Sequence, residues 1–412
     1  MNIAIFVPKF LIPKPNAGLD LILLRAQIEA WANMGHKIKI LTEGIDSVEF
    51  KENFTVCFLQ GIFTPFTSKF SSTRRAIPIY NDLFSPDIVV KAARTLNKEL
   101  DADVIYSCGP SFSSILSAII GRMASIPTVH YVTDYTGPWR WWGIEDVEVL
   151  RGYYVPPSYL FSLFMKNTFR ELPRRQFIHK WGLKNITQII ASSNLVKGQI
   201  TDLIGAKDLP VIYPGVKVPL LTTVPSKYEG PIITYLGHLW QGRGILDLVV
   251  AFSRIIKKHP EAKMVVAASN IHKLTRNHFS KLVADLQLCS RIIEEGVVSN
   301  VYSEVMAPAT VIVLPYRDSP SIKLLESMVM AKPVITTKVG WAPELVIDGE
   351  NGLLVMPGDI ERLAEKIDIV LDNPELSVEI GKKARETIES KCDIVKHASS
   401  ILSVLEETVR RT

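Results

Sequence analysis

Asp318, Ser319, Pro320, Lys323 and Glu326 fall in one short run, and their spacing is that of a helix start built to face an anion. The apolar stretch Thr310–Pro315 before them reads as a buried strand. A charged loop follows, a helix is expected to open at Ser319-Pro320, and a second strand is expected over Pro333–Thr337. Ser319 is a good N-cap and Pro320 suits the first helical position. The amides of Ser321 and Ile322 then lack intrahelical partners and can meet a ligand. Lys323 sits in the first turn, where a cation costs roughly 0.3–1 kcal/mol against the helix dipole. A bound phosphate reverses that sign. The competing reading is an i,i+3 pair of Lys323 with Glu326 on a wet surface.

A second constellation is G-H-L-W-Q-G-R-G, Gly237–Gly244, between an expected strand and an expected helix. Gly237 lets the chain turn, Gly242 and Gly244 admit close backbone approach, and Arg243 offers a fork for phosphate oxygens. The spacing is not G-x-G-x-x-G, and no acidic residue ends a strand about 20 residues on, which disfavours a dinucleotide site. An ordinary strand–helix loop is the other reading.

A third region is aromatic and basic. Trp139, Trp141 and Trp142 suggest a surface for stacking on carbohydrate or for a lipid interface, or else the small core of an insertion. Tyr159–Arg170 reads as a helix with a wide apolar arc and a narrow polar stripe of Ser162, Lys166 and Arg170. Arg174, Arg175, Lys180 and Lys184 follow. A membrane-surface element fits this pattern, each base near an anionic leaflet contributing roughly 1 kcal/mol. So does a packed core helix with a solvated edge. No nucleic-acid motif accompanies the charge.

These residues need a scaffold. Apolar strand runs at Asn2–Pro8, Lys37–Thr42, Asp103–Ser107, Thr128–Val132, Ile186–Ser192 and Val211–Tyr213 alternate with helical periodicity over 19–34, 88–100 and 113–123. Residues 214–231, rich in Pro and Gly, read as a linker. Alternation restarts with strands at 232–236, 263–267, 310–315, 333–337 and 352–355 and helices at 245–257, 363–372, 377–390 and 393–410. The expected architecture is α/β, two Rossmann-like doubly wound domains facing a central cleft. Their expected extents are 1–215, with an insertion near 136–185, and 230–390. A terminal helix over 391–412, with Val395, Ala398, Ile401, Leu402 and Leu405 as its apolar stripe, packs back towards the first domain.

Composition narrows the class. The 412 residues are 47% hydrophobic and 22% charged, as in a soluble globular protein. The net charge of +5 is local, because residues 151–200 hold 8 bases and 1 acid. Cys57, Cys108, Cys289 and Cys392 are far apart, and the eight histidines form no H-x-x-x-H pair. This argues against a disulfide framework or a metal site and suits a reducing cytoplasm. The N-terminus does not read as a signal peptide, and no apolar run reaches the roughly 18 residues of a membrane span.

With these motifs in view, the chain resembles the GT-B glycosyltransferases of the large retaining family 4. Gly237, Leu239 and Gly244 match that family's G-R-L-x-x-x-K-G loop, with His238 in place of its Arg and Arg243 in place of its Lys. Its E-x7-E segment is similar to Asp318-x7-Glu326. Further pieces resemble Ala331–Ile335, Val339–Val346 and Asp348–Val355, with Asn16–Gly18 and Gly35–Thr42 in the first half. The resemblance implies that Arg243, with His238, neutralises a donor diphosphate as it leaves. It implies that Glu326 accepts hydrogen bonds from the nucleoside ribose and that Asp318 faces the transferred sugar. Ser319, Ser321, Ile322, Lys323 and Leu324 would line the sugar–phosphate region, and Gly296, Val297 and Val298 the base. Gly18 would close over the phosphates from the other domain, and Asp134, after Thr133, would bind an acceptor hydroxyl or the sugar, or else cap its loop. Asp318 is one methylene shorter than Glu, which points to an unusual sugar.

The expected function is transfer of a sugar from a nucleoside-diphosphate sugar to a glycan or lipid-linked acceptor, with retention and with no metal or other cofactor. The expected location is cytoplasmic, peripheral at an anionic membrane surface, with no nucleic-acid partner. A sugar-nucleotide epimerase of the same architecture and a non-catalytic glycan- or nucleotide-binding scaffold are the alternatives.

Overall fold

The computed structural model describes residues 1–6, 19–42, 54–58, 101–109, 111–133, 180–206, 209–219, 228–271, 273–296, 298 and 300–412. Gly18, Asp134, Trp139, Trp141, Trp142, Lys166, Arg170, Arg174, Arg175 and Val297 lie outside the described residues. So do the helices expected over 88–100 and 159–170. Among the described residues, 1–6, 20–214 and 397–412 form one compact unit and 215–396 a second.

The first unit contains β1 (Asn2–Phe6), α1 (Leu19–Asn33), β2 (Lys37–Thr42), β3 (Phe54–Phe58), β4 (Val104–Cys108), α2 (Ser111–Ala124), β5 (Thr128–Val132), β6 (Gln188–Ala191) and α3 (Asn194–Ile204). Its sheet runs β3-β2-β1-β4-β5-β6 with every pair parallel. Parallel strands covered on both faces read as continuous apolar runs, and Ile3, Ala4 and Ile5 are all fully buried. The helix α1 buries Leu24, Ile28 and Trp31 as its periodicity predicts. It ends where Gly35 takes a φ of +88°, a left-handed conformation that closes the last turn.

The strand expected over Val211–Tyr213 is a correction. Only Val211 bridges to Ala191 there. Pro210 and Pro214 bracket the segment and remove the amides a longer ladder needs.

The second unit contains β7 (Ile232–Leu239), α4 (Ile245–Lys258), β8 (Lys263–Ile271), α5 (Lys273–Asp285), β9 (Ile292–Glu295), β10 (Val311–Leu314), α6 (Ile322–Val329), β11 (Val334–Thr337), α7 (Ala342–Leu345), β12 (Leu353–Val355), α8 (Ile360–Asp372) and α9 (Pro374–Lys391). Its sheet runs β12-β11-β10-β7-β8-β9, also parallel throughout. Counted within each unit, both sheets have the 3-2-1-4-5-6 winding of a Rossmann fold. The core of the second unit is the layer of α4 on the sheet, with Ile245, Leu248, Val249 and Phe252 fully buried. Each such side chain contributes about 1.5–3 kcal/mol relative to exposure.

The last helix, α10 (Ile394–Arg411), begins in the second unit and from His397 onward belongs to the first. Ala398, Ile401, Leu402 and Leu405 are buried as expected, but Val395 is 53% exposed. Val395 lies in the first turn, where its amide is capped by Asp393, ahead of the packed stretch. The first unit holds the helix with polar contacts. Trp31 Nε1 donates to the Ala398 carbonyl at 2.8 Å, and His397 Nδ1 donates to the Tyr213 carbonyl at 2.7 Å. The other ring nitrogen of His397 meets the Gln27 amide, whose carbonyl accepts from Tyr106.

Burial pushes the His397 pKa down to about 4 from 6.5. The unfolded chain therefore binds a proton below pH 6.5 that the folded chain refuses until about pH 4. Stability is expected to fall as pH drops through this window, by up to about 3 kcal/mol, with no further contribution below it. Thermal unfolding at pH 7 and pH 5 checks this. The difference should shrink in His397→Gln, and an equal difference in both proteins would contradict it.

Candidate functional site

In a doubly wound sheet, loops diverge where the strand order reverses, and the carboxyl ends there form a crevice. In the second unit that point lies between β7 and β10, which are neighbours. The loop after β7 is Trp240–Gly244 and the loop after β10 is Pro315–Ser321. The two constellations singled out in the sequence are thus side by side.

Their contact is close and specific. Gly244 has a φ of +68°, and a Cβ there would stand 1.7 Å from the Pro315 carbonyl oxygen, so only glycine fits. A Cβ on Gly242 would stand 3.1 Å from Asp318 Oδ2. The Arg317 amide donates to the Gly242 carbonyl at 2.9 Å. The Arg243 guanidinium donates to the Ser319 carbonyl at 2.7 Å and lies 3.4 Å from Asp318 Oδ1. It also lies over the Tyr316 ring, 5.2 Å from its centroid, a cation–π arrangement. Burial pushes the Tyr316 phenol up to about 12, so it stays neutral beneath the cation.

The helix start differs from expectation. The helix α6 opens at Ile322, and Ser321 is its N-cap, not Ser319. Ser321 is extended, its Oγ accepts from the Lys323 amide, and it also meets the Tyr316 hydroxyl at 2.8 Å. The Ser319 carbonyl is taken by Arg243 rather than by a helical amide, and the Pro320 ring packs where Gly340 leaves room. Both effects carry the cap two residues on. Lys323 remains in the first turn. Its Nζ donates to Glu326 Oε2 at 2.6 Å, and the Tyr302 hydroxyl donates to Glu326 Oε1 at 3.1 Å. The pair is not on a wet surface, since the Glu326 side chain is 8% exposed.

His238 is half-buried on the last turn of β7. Burial lowers its pKa first, the Arg243 and Lys323 charges lower it further, and Asp318 acts in the opposite sense. Its imidazole is therefore neutral at neutral pH in this state. The cationic groups are Arg243 and Lys323. Ile322 and Leu324 are buried, so they offer backbone rather than side chains. Gly296 is exposed just beyond β9, and Val298 is half-buried.

Four participants were not visible in the sequence. Tyr302 and Tyr316 support Glu326 and Arg243, and Trp240, 37% exposed, stands beside Gly242. Arg317 forms a two-pronged pair with Asp247 in the first turn of α4, both bonds at 2.7 Å. That pair staples the Asp318 loop to the neighbouring helix. Arg317→Ala is expected to lower the stability of the second unit by about 1–3 kcal/mol, the low part of the range because Arg317 is 40% exposed. Denaturant unfolding reads this directly, and a change below about 0.3 kcal/mol would show that the loop is held by other means.

Residues 230–373 match the family described as Glycosyl transferases group 1. The trehalose synthase of Pyrococcus horikoshii is 27% identical over 186 residues, which cover 43% of this chain and 44% of that protein. The chain thus spans less than half the length of that relative. The sucrose-phosphate synthase of Thermosynechococcus elongatus superposes with a TM-score of 0.74 at 20% identity, over 100% of both chains. The Anabaena protein HepE, solved in complex with UDP, gives a TM-score of 0.70 at 16% identity, over 99% of this chain and 100% of that one. Two parallel Rossmann-like sheets with interleaved helices are the GT-B fold, and within it residues 230–373 are similar to the glycosyl transferases group 1 family.

Proposed function

We propose that the chain is a glycosyltransferase that moves a sugar from a nucleoside-diphosphate sugar to a glycan or lipid-linked acceptor, with retention of configuration. The observation that carries this is the pairing of two cations, Arg243 and Lys323, with two carboxylates, Asp318 and Glu326, at the reversal point of the second sheet. The cations meet the donor diphosphate. Glu326 holds the ribose hydroxyls. Asp318 meets hydroxyls of the transferred sugar, and the exposed ring of Trp240 beside it offers an apolar face to the same sugar. HepE, a structure of the same fold, holds UDP, which supports a uridine donor for this chain as well.

The chemistry follows from charge. As the glycosidic bond to phosphate breaks, negative charge grows on the leaving oxygen, and Arg243 is fixed in advance where that charge develops. The departing phosphate oxygen can then take the acceptor proton on the same face of the sugar, which retains configuration. Asp134 binds the acceptor hydroxyl in this reading.

No helix among the described residues is long and apolar enough to cross a membrane. The exposed Lys180, Trp181 and Lys184, continuing the basic stretch from Lys166 to Arg175, support a peripheral contact with an anionic leaflet. Sedimentation with anionic vesicles tests that contact, and equal binding after neutralising both lysines would remove it. The transfer itself is tested by release of nucleoside diphosphate from a panel of sugar nucleotides, with and without glycan and lipid-linked acceptors. Release that depends on the acceptor is expected. Sugar-nucleotide turnover indifferent to any acceptor would point instead to an epimerase.

A further inference from the structure

Glu326 is the residue that should receive the ribose, yet both of its carboxylate oxygens are already engaged. Oε1 accepts from the Tyr302 hydroxyl at 3.1 Å and Oε2 from Lys323 Nζ at 2.6 Å. The two donors differ in how firmly they are placed. Tyr302 sits on a single π-helical turn, Tyr302–Met306, closed by the Ala307 amide on the Tyr302 carbonyl at 2.8 Å. The turn is capped reciprocally, since Asn300 Oδ1 accepts from the Tyr302 amide and Glu304 reaches back to the Asn300 amide. Such turns are stable only where the surroundings hold them, and they recur at functional sites. Lys323, by contrast, is a flexible stem with a 26% exposed side chain. Its charge reaches His238, so it borders the region that the donor phosphates would occupy.

We propose that the Lys323–Glu326 ion pair is a latch across the donor site that opens only to a ligand carrying both a ribose diol and a diphosphate. This inference rests on the donor-site reading above. A ribose diol presents two hydroxyls to the carboxylate, and its bond to Oε2 competes with Lys323, the less firmly held of the two donors. Taking Oε2 alone leaves the Lys323 ammonium without its carboxylate. A diphosphate alone draws Lys323 away but leaves Glu326 buried without its cation. When both arrive on one molecule, each compensates the loss caused by the other. The latch therefore penalises nucleosides and free pyrophosphate separately and favours their covalent union. Coupling of this kind is a free energy shared by two subsites, and it is reciprocal.

The test uses the full chain, the four ribonucleosides, their 5′-diphosphates and inorganic pyrophosphate, with affinities from titration calorimetry. In the unaltered protein, saturating pyrophosphate should tighten binding of the preferred nucleoside. In Lys323→Met, that nucleoside should bind roughly tenfold more tightly than in the unaltered protein, because Oε2 is released, while its diphosphate binds roughly tenfold more weakly. The pyrophosphate effect on the nucleoside should vanish. Lys323→Arg, which keeps a cation against Oε2, should restore the pyrophosphate effect that Lys323→Met loses, and thermal midpoints confirm that both variants are folded. Unchanged or weaker nucleoside binding in a folded Lys323→Met would overturn the latch and leave the donor site standing. Failure of every nucleoside diphosphate to bind the unaltered protein would overturn both.

Discussion

Replacing Arg243 with alanine is expected to lower kcat by roughly 10²–10³-fold while changing the donor KM far less. The asymmetry follows from where the guanidinium sits. It is fixed by the Ser319 carbonyl and by the Tyr316 ring before any ligand arrives, so no rearrangement is needed when charge appears on the leaving diphosphate. An interaction that strengthens between ground state and transition state appears in kcat, not in KM. Arg243→Lys keeps the charge but loses the fork and the stacking, and it should retain activity within about tenfold of the unaltered protein. Steady-state kinetics on all three proteins separates the terms. Arg243→Ala within a few-fold of full activity would mean that the leaving charge is stabilised elsewhere.

Replacing Glu326 with alanine should have the opposite signature. A ribose is held about equally in the ground state and the transition state, so its loss should raise the donor KM and leave kcat at saturation largely intact. Hydrogen bonds to a charged group contribute about 1.5–3 kcal/mol, or roughly 10–150-fold in affinity. The removal also leaves Lys323 without its partner and Tyr302 without its acceptor, two polar groups that are partly buried. Glu326→Gln should fall between, since the amide carbonyl still accepts a bond without the charge. A loss confined to kcat in Glu326→Ala would place the residue at the reacting centre rather than at the ribose.

Much of this site was legible in the sequence because it is local. The apolar run ending at Pro315, the glycines of the Gly237–Gly244 loop and the spacing of Asp318 to Glu326 each lie within one strand–loop–helix unit. What was missed depends on contacts across the chain. Arg317 finds Asp247 at a separation of 70 residues, and Tyr302 finds Glu326 from a separate π-helical turn. No local pattern encodes either pairing.

The same contrast holds for the fold. The strand Ile292–Glu295 escaped notice because it is an edge strand carrying two glutamates, so it shows neither alternation nor a buried run. The helix Lys273–Asp285 is largely polar and exposes most of its surface, yet Thr275, Phe279 and Val283 form a buried i,i+4,i+8 stripe. The shift of the helix cap from Ser319 to Ser321 turns on the Tyr316 hydroxyl and on the space left by Gly340. Both serines are equally good caps by sequence.

In the proposed function, the reversal point of the second sheet binds a nucleoside diphosphate through Glu326 and Arg243. Thermal unfolding with each of the four nucleoside diphosphates tests it most directly. One diphosphate at about 100 times its Kd should stabilise the chain by about 2.7 kcal/mol, and its effect at the same concentration should be largely lost in Glu326→Ala. No stabilisation by any of them, or equal stabilisation of the unaltered protein and Glu326→Ala, would contradict the account.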